Sequence, residues 1–150
     1  MPEVYEYRHT VTFAETNLVG NVYFTNHVRW QGAARELFLR DHAPTVLDDL
    51  RDGLALVTVY THVDYFRELE AFDRVVVAMR LEELVQNRIA LGFEYFHEGP
   101  RGRELVARGR QGVAAMTRAG GELIPVPVPA ELSRALGTYA SADGAGRGSR

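Results

Sequence analysis

The sequence predicts one long helix, from about Val22 to His42, in a chain whose other periodic segments are typical of strands. On a helical wheel, two polar residues, Gln31 and Arg35, fall on the apolar face of this helix. That face consists of Phe24, Val28, Gln31, Arg35 and Phe38, flanked by His27 and Leu39, whereas Arg29, Ala33, Glu36 and Arg40 lie opposite. Burying an unpaired guanidinium is strongly unfavourable, so we expect Arg35 to meet a partner or a ligand.

Two interpretations of Arg35 are open on helix geometry alone. A strand carboxylate such as Asp64 would make it one half of a structural ion pair. Alternatively, it belongs to a binding site, because Asn17 and Gly20 are expected in a polar loop just before the helix. Free N–H groups and the helix dipole favour an oxyanion at such a position. The loop and the inward arginine together favour the second interpretation.

Composition excludes several classes of function. The chain has no cysteine, its histidines lack zinc-site spacing, and its serines (133, 141 and 149) all lie near the C-terminal end, which excludes thiolate, zinc and serine-triad chemistry. A net charge of −3 argues against nucleic acid as a partner. No apolar run is long enough to span a membrane, and the first residues lack the features of a signal peptide. We therefore expect a cytoplasmic protein with no cofactor and no metal.

Five strands are predicted around the helix, over residues 4–13, 54–66, 74–83, 88–97 and 105–117. The second is apolar on both faces, which favours a central place in the sheet or an oligomer seam. Its Thr58 and Thr61 are expected on opposite faces, with one of them lining a pocket. One antiparallel sheet curled around one helix is the simplest α+β arrangement. Residues 1–140 are thus expected to form one domain and residues 141–150, rich in Gly, Ala, Ser and Arg, a disordered tail.

The helix and the loop before it also carry a family resemblance. The run Phe13-x-x-x-Asn17-x-x-Gly20-Asn21-Val22-Tyr23-Phe24, with Arg29-Trp30 and Ala34-Arg35-Glu36 after it, resembles the hotdog-fold thioesterases of the 4-hydroxybenzoyl-coenzyme A type. Within that group it is most similar to the acyl-carrier-protein thioesterases of enediyne polyketide biosynthesis. The resemblance implies a hotdog fold, in which a five-stranded antiparallel sheet wraps one central helix, and a site at a homodimer interface, often in a dimer of dimers.

In the wider family an aspartate precedes x-x-Gly and acts as nucleophile or base, whereas this chain has Asn17, as in the enediyne branch. An asparagine can orient water or donate a hydrogen bond but cannot take a proton. The substrate that the resemblance implies, a β-keto polyene thioester on the acyl carrier protein domain of a polyketide synthase, is electrophilic enough to compensate. Arg35 would bind its enolate-like oxygens, and the freed β-keto acid could then lose carbon dioxide unaided.

We therefore predict Asn17 and Arg35 as catalytic residues, with His27 assisting. The predicted substrate-binding residues are Gly20, Tyr23, Phe24, Gln31, Thr58 and Thr61. His27 is equally well explained as a packed or surface histidine, and the resemblance implies tyrosine at its position. Tyr23, at the start of the predicted helix, is more typical of a core residue than of a catalytic one.

If a carboxylate base is needed, Glu15 or Glu68 would supply it, and Glu36 is expected in solvent. Two other functions remain open: a general acyl-coenzyme A thioesterase, and a non-catalytic acyl- or polyene-binding protein on the same scaffold.

Overall fold

The computed structural model describes residues 3–141. Its elements are β1 (Tyr5–Thr10), α1 (Asn26–His42), α2 (Pro44–Arg51), β2 (Leu54–Tyr65), β3 (Arg74–Val85), β4 (Arg88–Gly99), β5 (Gly102–Ala119), β6 (Glu122–Pro125) and α3 (Ala130–Thr138). No helix among these residues has both the length and the apolar character needed to cross a bilayer. Most of the predicted tail lies outside the described residues, but Ser141 donates its N–H to Leu81 O at 2.8 Å.

One antiparallel sheet in the order β1-β3-β4-β5-β2 wraps α1, and β6 pairs with the end of β5. Trp30, Ala34 and Phe38 of α1 are buried in one continuous core with the inward side chains of β3, β4 and β5. The predicted hotdog architecture is confirmed. The short β6 adds a sixth strand to the five predicted.

Helix α1 begins at Asn26 rather than at Val22. The backbone N–H of Val22 donates to Leu69 O at 2.8 Å and that of Tyr23 to Glu15 O at 2.9 Å, so both residues are held by other segments. The prediction that Phe24 lies on the buried face of the helix is therefore wrong, and its side chain is 57% exposed. The buried face consists of Asn26, His27, Trp30, Gln31, Ala34, Phe38 and Leu39.

Strand β1 ends at Thr10, short of the predicted residue 13, because the chain turns at Thr12. The N–H and hydroxyl of Thr12 both donate to Glu15 Oε1, at 2.8 and 3.1 Å. This capping arrangement closes a single 3₁₀ turn, Phe13–Glu15, and leaves the Phe13 ring exposed.

Strand β2 lies at the end of the sheet, so the first of its two predicted positions, a central one, is wrong, and the second, an oligomer seam, stays a prediction. Its outer edge meets no other strand within residues 3–141, and Val59 and Tyr60 are exposed there. The register with β5 shifts between Thr58 and Tyr60, which inserts Val59 as an extra residue. A bulge of this kind reverses the alternation of side chains. Thr58 and Thr61 consequently face the same helix, contrary to the prediction of opposite faces.

Candidate active site

A cleft of about 350 Å³ lies where the loop after β1, the first turn of α1 and the loop after β2 meet. Tyr65 OH donates to Phe24 O at 2.6 Å, which joins the two sides of the cleft directly. The cleft is lined by Asn17, Asn21, Val22, Tyr23, Phe24 and His27 on one side and by Tyr65, Phe66, Arg67, Glu68 and Leu69 on the other.

His27 is the most deeply buried polar group of this cleft, with 3% of its surface exposed. The rings of Trp30, Tyr65 and Tyr95 surround it at centroid distances of 5.0, 4.7 and 5.3 Å. Burial lowers the pKa of His27 to about 4, although the Phe24 backbone acts in the opposite direction. The imidazole is therefore neutral at pH 7, able to donate one hydrogen bond and accept another.

Three buried polar atoms of the cleft have no hydrogen-bond partner among the described residues: Nδ1 and Nε2 of His27 and Oδ1 of Asn21. Leaving such an atom unsatisfied costs about 1–3 kcal/mol. A ligand or an ordered water in the cleft would satisfy atoms of this kind.

Asn17 is held by its own loop. Its Oδ1 accepts the N–H of Val19 at 2.9 Å, its N–H donates to Asn21 O at 2.9 Å, and its carbonyl accepts the N–H of Gly20 at 3.0 Å. The side-chain NH₂ has no acceptor within residues 3–141 and so remains able to donate. Gly20 adopts φ +97°, which favours glycine, and serves the turn without lining the cleft.

The prediction that Asn17 and Gly20 lie directly before the helix is wrong, because residues 21–25 intervene. It is His27, in the first turn of α1, that brings the N-terminal end of the helix to the cleft. The dipole argument for an oxyanion site therefore applies near His27 and no longer to the Asn17–Gly20 turn.

Arg35 lies two helical turns beyond His27 and donates from Nη1 to Thr58 Oγ1 and Gln111 Oε1, both at 2.9 Å. None of the carboxylates in the described part of the chain forms an ion pair with it. Asp64 instead pairs with His62 at 3.0 Å, so the ion-pair interpretation is wrong. Burial lowers the pKa of Arg35, and neighbouring Glu36 acts in the opposite direction.

Gln31 lies between His27 and Arg35 along α1, so the three residues form a row of polar side chains. Its Oε1 accepts the Thr61 hydroxyl at 2.8 Å, and its Nε2 donates to His62 O at 3.2 Å. Gln31 is fully buried, and Gln111 Nε2 also approaches its Oε1 at 3.4 Å. None of the predicted residues Gln31, Thr58 and Thr61 lines the cleft. Thr58 bonds Arg35 directly, whereas Gln31 is linked to Arg35 through Gln111, and the Thr61 hydroxyl bonds Gln31.

Beyond Arg35 lies a narrow apolar slot between the helices and the sheet. It is lined by Phe38, Leu39, Leu56, Met79, Ile89, Leu91, Val113, Leu132 and Leu136, and its free space is about 20 Å³. That is room for one water molecule at most. Asn17 and Arg35 therefore line different cavities of one chain, and the structure does not bring them together.

Tyr23 and Phe24, two of the predicted substrate-binding residues, line the cleft, and their role there stays a prediction. Tyr23 is 47% exposed, so its alternative interpretation as a core residue is wrong. Sequence reasoning missed Asn21, Tyr65 and Gln111. Of these, only Gln111 gave a signal, as the polar residue in an alternating set of small and apolar ones (Ala107, Gly109, Val113 and Ala115).

The match to known proteins agrees with this architecture. The model of the Thioesterase-like superfamily matches residues 11–136. The chain belongs to this family and is a thioesterase. Its structure is similar to that of the dynemicin thioesterase, with 56% identity, a TM-score of 0.91 and coverage of 93% of this chain and 99% of the other. The predicted family and the enzymatic interpretation are thereby confirmed, against that of a non-catalytic binding protein.

More distant structures share the fold of this thioesterase. The 4-hydroxybenzoyl-CoA thioesterase from Pseudomonas sp. strain CBS-3 has 19% identity and a TM-score of 0.73, covering 89% of this chain and 99% of the other. A 1,4-dihydroxy-2-naphthoyl-CoA thioesterase from Synechocystis has 20% identity and a TM-score of 0.77, covering 89% and 95%. Among curated proteins no match is found.

Proposed function

We propose that this thioesterase releases a β-keto polyene acyl chain from an acyl carrier protein in enediyne polyketide biosynthesis. The observation that carries the proposal is Arg35, a half-buried cation that borders an otherwise apolar slot and has no carboxylate to neutralise it among residues 3–141. A cation with free donors suits the polarised oxygens of a β-keto head group, and the apolar walls suit a polyene. The 56% identity with the dynemicin thioesterase, whose structures describe polyene binding, supports this substrate class.

Hydrolysis needs a water at the thioester carbon and donors at the developing oxyanion. Asn17 supplies a free amide NH₂ at the cleft, and neutral His27 supplies a second hydrogen-bonding group. Water adds to the carbonyl carbon and the carbon–sulfur bond breaks. One proton of the water passes to the departing sulfur, which leaves as the thiol, and the other stays with the β-keto acid. The released β-keto acid then loses carbon dioxide without further help from the protein.

The active unit in this proposal is a homodimer, which pairs again into a dimer of dimers. Asn17 and Arg35 line different cavities of one chain, so a second copy is needed to combine both groups at one thioester. The free edge of β2 and the exposed Leu18 and Val19 of the Asn17 loop are surfaces that such a copy would cover.

The acyl tail requires the slot beside Arg35 to open, because about 20 Å³ does not hold a polyene. The structures of the dynemicin thioesterase are described as showing induced fit upon polyene binding. We expect the same here, with Leu132 and Leu136 of α3 moving away from the sheet, since α3 is the short helix that covers the slot.

The test is hydrolysis of a β-keto acyl N-acetylcysteamine thioester by Asn17→Ala and Arg35→Ala proteins. Loss of one oxyanion donor lowers kcat by about 10²–10³. Arg29→Ala is the matched control, because Arg29 is an exposed arginine on the opposite face of the same helix. Rates near wild type for both Asn17→Ala and Arg35→Ala would remove these residues from the mechanism.

One observation favours a second candidate, the general acyl-coenzyme A thioesterase. Glu68 lines the cleft, where a carboxylate could serve as an ordinary base for plain acyl substrates. Glu68→Gln separates the two functions. A loss of about 10²-fold or more on saturated acyl-coenzyme A would favour the second candidate.

A further inference from the structure

We propose that Glu15 is a positioning residue, whose carboxylate fastens the Asn17 loop to helix α1 through the indole of Trp30. Its effect on catalysis rests on the proposed function, whereas its structural effect can be measured without any substrate. This role differs from that of a general base, which the position of Glu15 next to the loop also suggested.

The carboxylate of Glu15 collects donors from three parts of the chain. Nε2 of His9, on β1, lies 2.8 and 3.0 Å from its two oxygens. The N–H of Thr12 lies 2.8 Å from Oε1, and Nε1 of Trp30, on α1, lies 2.9 Å from Oε2. Because each carboxylate oxygen already accepts strong hydrogen bonds, the side chain is fixed in one position.

The backbone of Glu15 makes a second connection between the same segments. Its carbonyl accepts the N–H of Tyr23 at 2.9 Å and the side-chain Nδ2 of Asn26 at 2.9 Å. Asn26 is the first residue of α1, and Tyr23 lines the cleft. Glu15 thus holds both ends of the segment that contains Asn17, which lies two residues after it in the chain.

The Trp30 indole transmits this placement to the buried histidine of the cleft. It lies against His9 and His27, at ring-centroid distances of 5.1 and 5.0 Å. Tyr7 OH fixes the other side of His9, 3.0 Å from Nδ1. A change at Glu15 therefore reaches the cleft by two routes, through the Asn17 loop and through the wall behind His27.

Glu15 is poorly suited to act as a base. It does not line the cleft, and only 13% of its side chain is exposed. Burial alone would raise the pKa of Glu15, but the hydrogen bonds from Thr12, His9 and Trp30 outweigh it and lower the pKa to about 2. A base at pH 7 needs a free lone pair and a higher pKa.

The structural test uses Trp30, the only tryptophan of the chain, which gives a single indole ¹H–¹⁵N resonance. Glu15→Gln should shift this resonance and shorten the exchange lifetime of its proton, because the charged acceptor is lost. Glu36→Gln, on the exposed face of the same helix, is the matched control and should leave the resonance in place. An unshifted resonance in Glu15→Gln would overturn the proposal.

The kinetic test compares Glu15→Gln, Trp30→Phe and the double variant on a β-keto acyl N-acetylcysteamine thioester. Trp30→Phe removes the indole donor and keeps a ring. A positioning role predicts a loss of about tenfold in kcat for each single variant and no further loss in the double variant. The pH profile of kcat should keep its shape, because Glu15 transfers no proton.

A base gives the opposite pattern and would overturn the proposal. In that case Glu15→Gln would lower kcat by about 10²–10⁴ and remove the acid limb of the pH profile of kcat. Trp30→Phe would keep a kcat near that of the wild-type protein. If the wild-type protein does not hydrolyse the β-keto thioester, the proposed function fails, and the indole resonance still decides the role of Glu15.

Discussion

His27→Phe is predicted to remove a specific acid sensitivity from the fold. His27 is buried with both ring nitrogens unpartnered within the described residues, and burial lowers its pKa from 6.5 to about 4. In the unfolded chain the same ring binds a proton below pH 6.5. The unfolded state therefore binds more protons between pH 6.5 and 4, so stability falls as the pH drops through this window.

The size of the effect follows from the two pKa values. At 1.36 kcal/mol per pKa unit, the shift corresponds to a loss of about 3 kcal/mol of unfolding free energy from pH 7 to pH 4. Phenylalanine fills the same aromatic site between Trp30, Tyr65 and Tyr95 without unsatisfied nitrogens. We therefore also expect it to stabilise the protein at pH 7, by about 1 kcal/mol.

The assay is urea unfolding of wild type and His27→Phe at several values between pH 4 and 7. His97→Phe is the matched control, because His97 is partly exposed and lies 3.5 Å from Asp73. In this control, the fall in unfolding free energy between pH 7 and pH 4 that is due to His27 should remain. Equal pH dependence in wild type and His27→Phe, or a less stable His27→Phe at pH 7, would refute the reasoning.

Three further predictions follow from other contacts. The stability that Glu15 contributes is present above pH 4.5 and is lost as the pH falls towards its folded pKa of about 2, so Glu15→Gln should flatten acid unfolding in that lower window. Gln111→Leu removes one of the two partners of Arg35 Nη1 and should cost about 1–3 kcal/mol in urea unfolding, whereas a neutral result would show that Arg35 does not depend on it. Gly109→Ala should destabilise by about 1–3 kcal/mol, because its Cβ would overlap the Gln31 amide and lie 3.0 Å from His62 O. Gly32→Ala is its control and should stabilise α1 by about 0.5–1 kcal/mol, since nothing lies within 4 Å of the new Cβ.

Periodicity was enough to predict one helix wrapped by an antiparallel sheet, because those signals are local and repeat over many residues. It misplaced the start of the helix, because Val22 and Phe24 continue the apolar pattern that α1 follows. The helix does not extend back to these residues because the backbone N–H of Val22 donates to Leu69 O and that of Tyr23 to Glu15 O. These hydrogen bonds join segments that are distant in the sequence, and no local pattern records them.

The same limit applies to the candidate site. An inward-facing Arg35 was predictable from the helical wheel, but its partners Thr58 and Gln111 come from two strands whose register the sequence does not give. The bulge at Val59 reversed the expected faces of β2, and a bulge has no reliable sequence signal. Family resemblance pointed to Asn17, whereas the cleft itself depends on how two loops meet.

The proposed mechanism depends on one point: a β-keto thioester is electrophilic enough to be hydrolysed without a catalytic carboxylate. Its most direct test is the ratio of kcat/KM for a β-keto acyl thioester to that for a saturated thioester of the same chain length, in wild type and in Arg35→Ala. We predict a wild-type ratio of about 10² or more, falling towards one in Arg35→Ala, since in the proposed mechanism Arg35 binds the second carbonyl oxygen. Equal rates on both substrates in the wild-type protein would contradict the account.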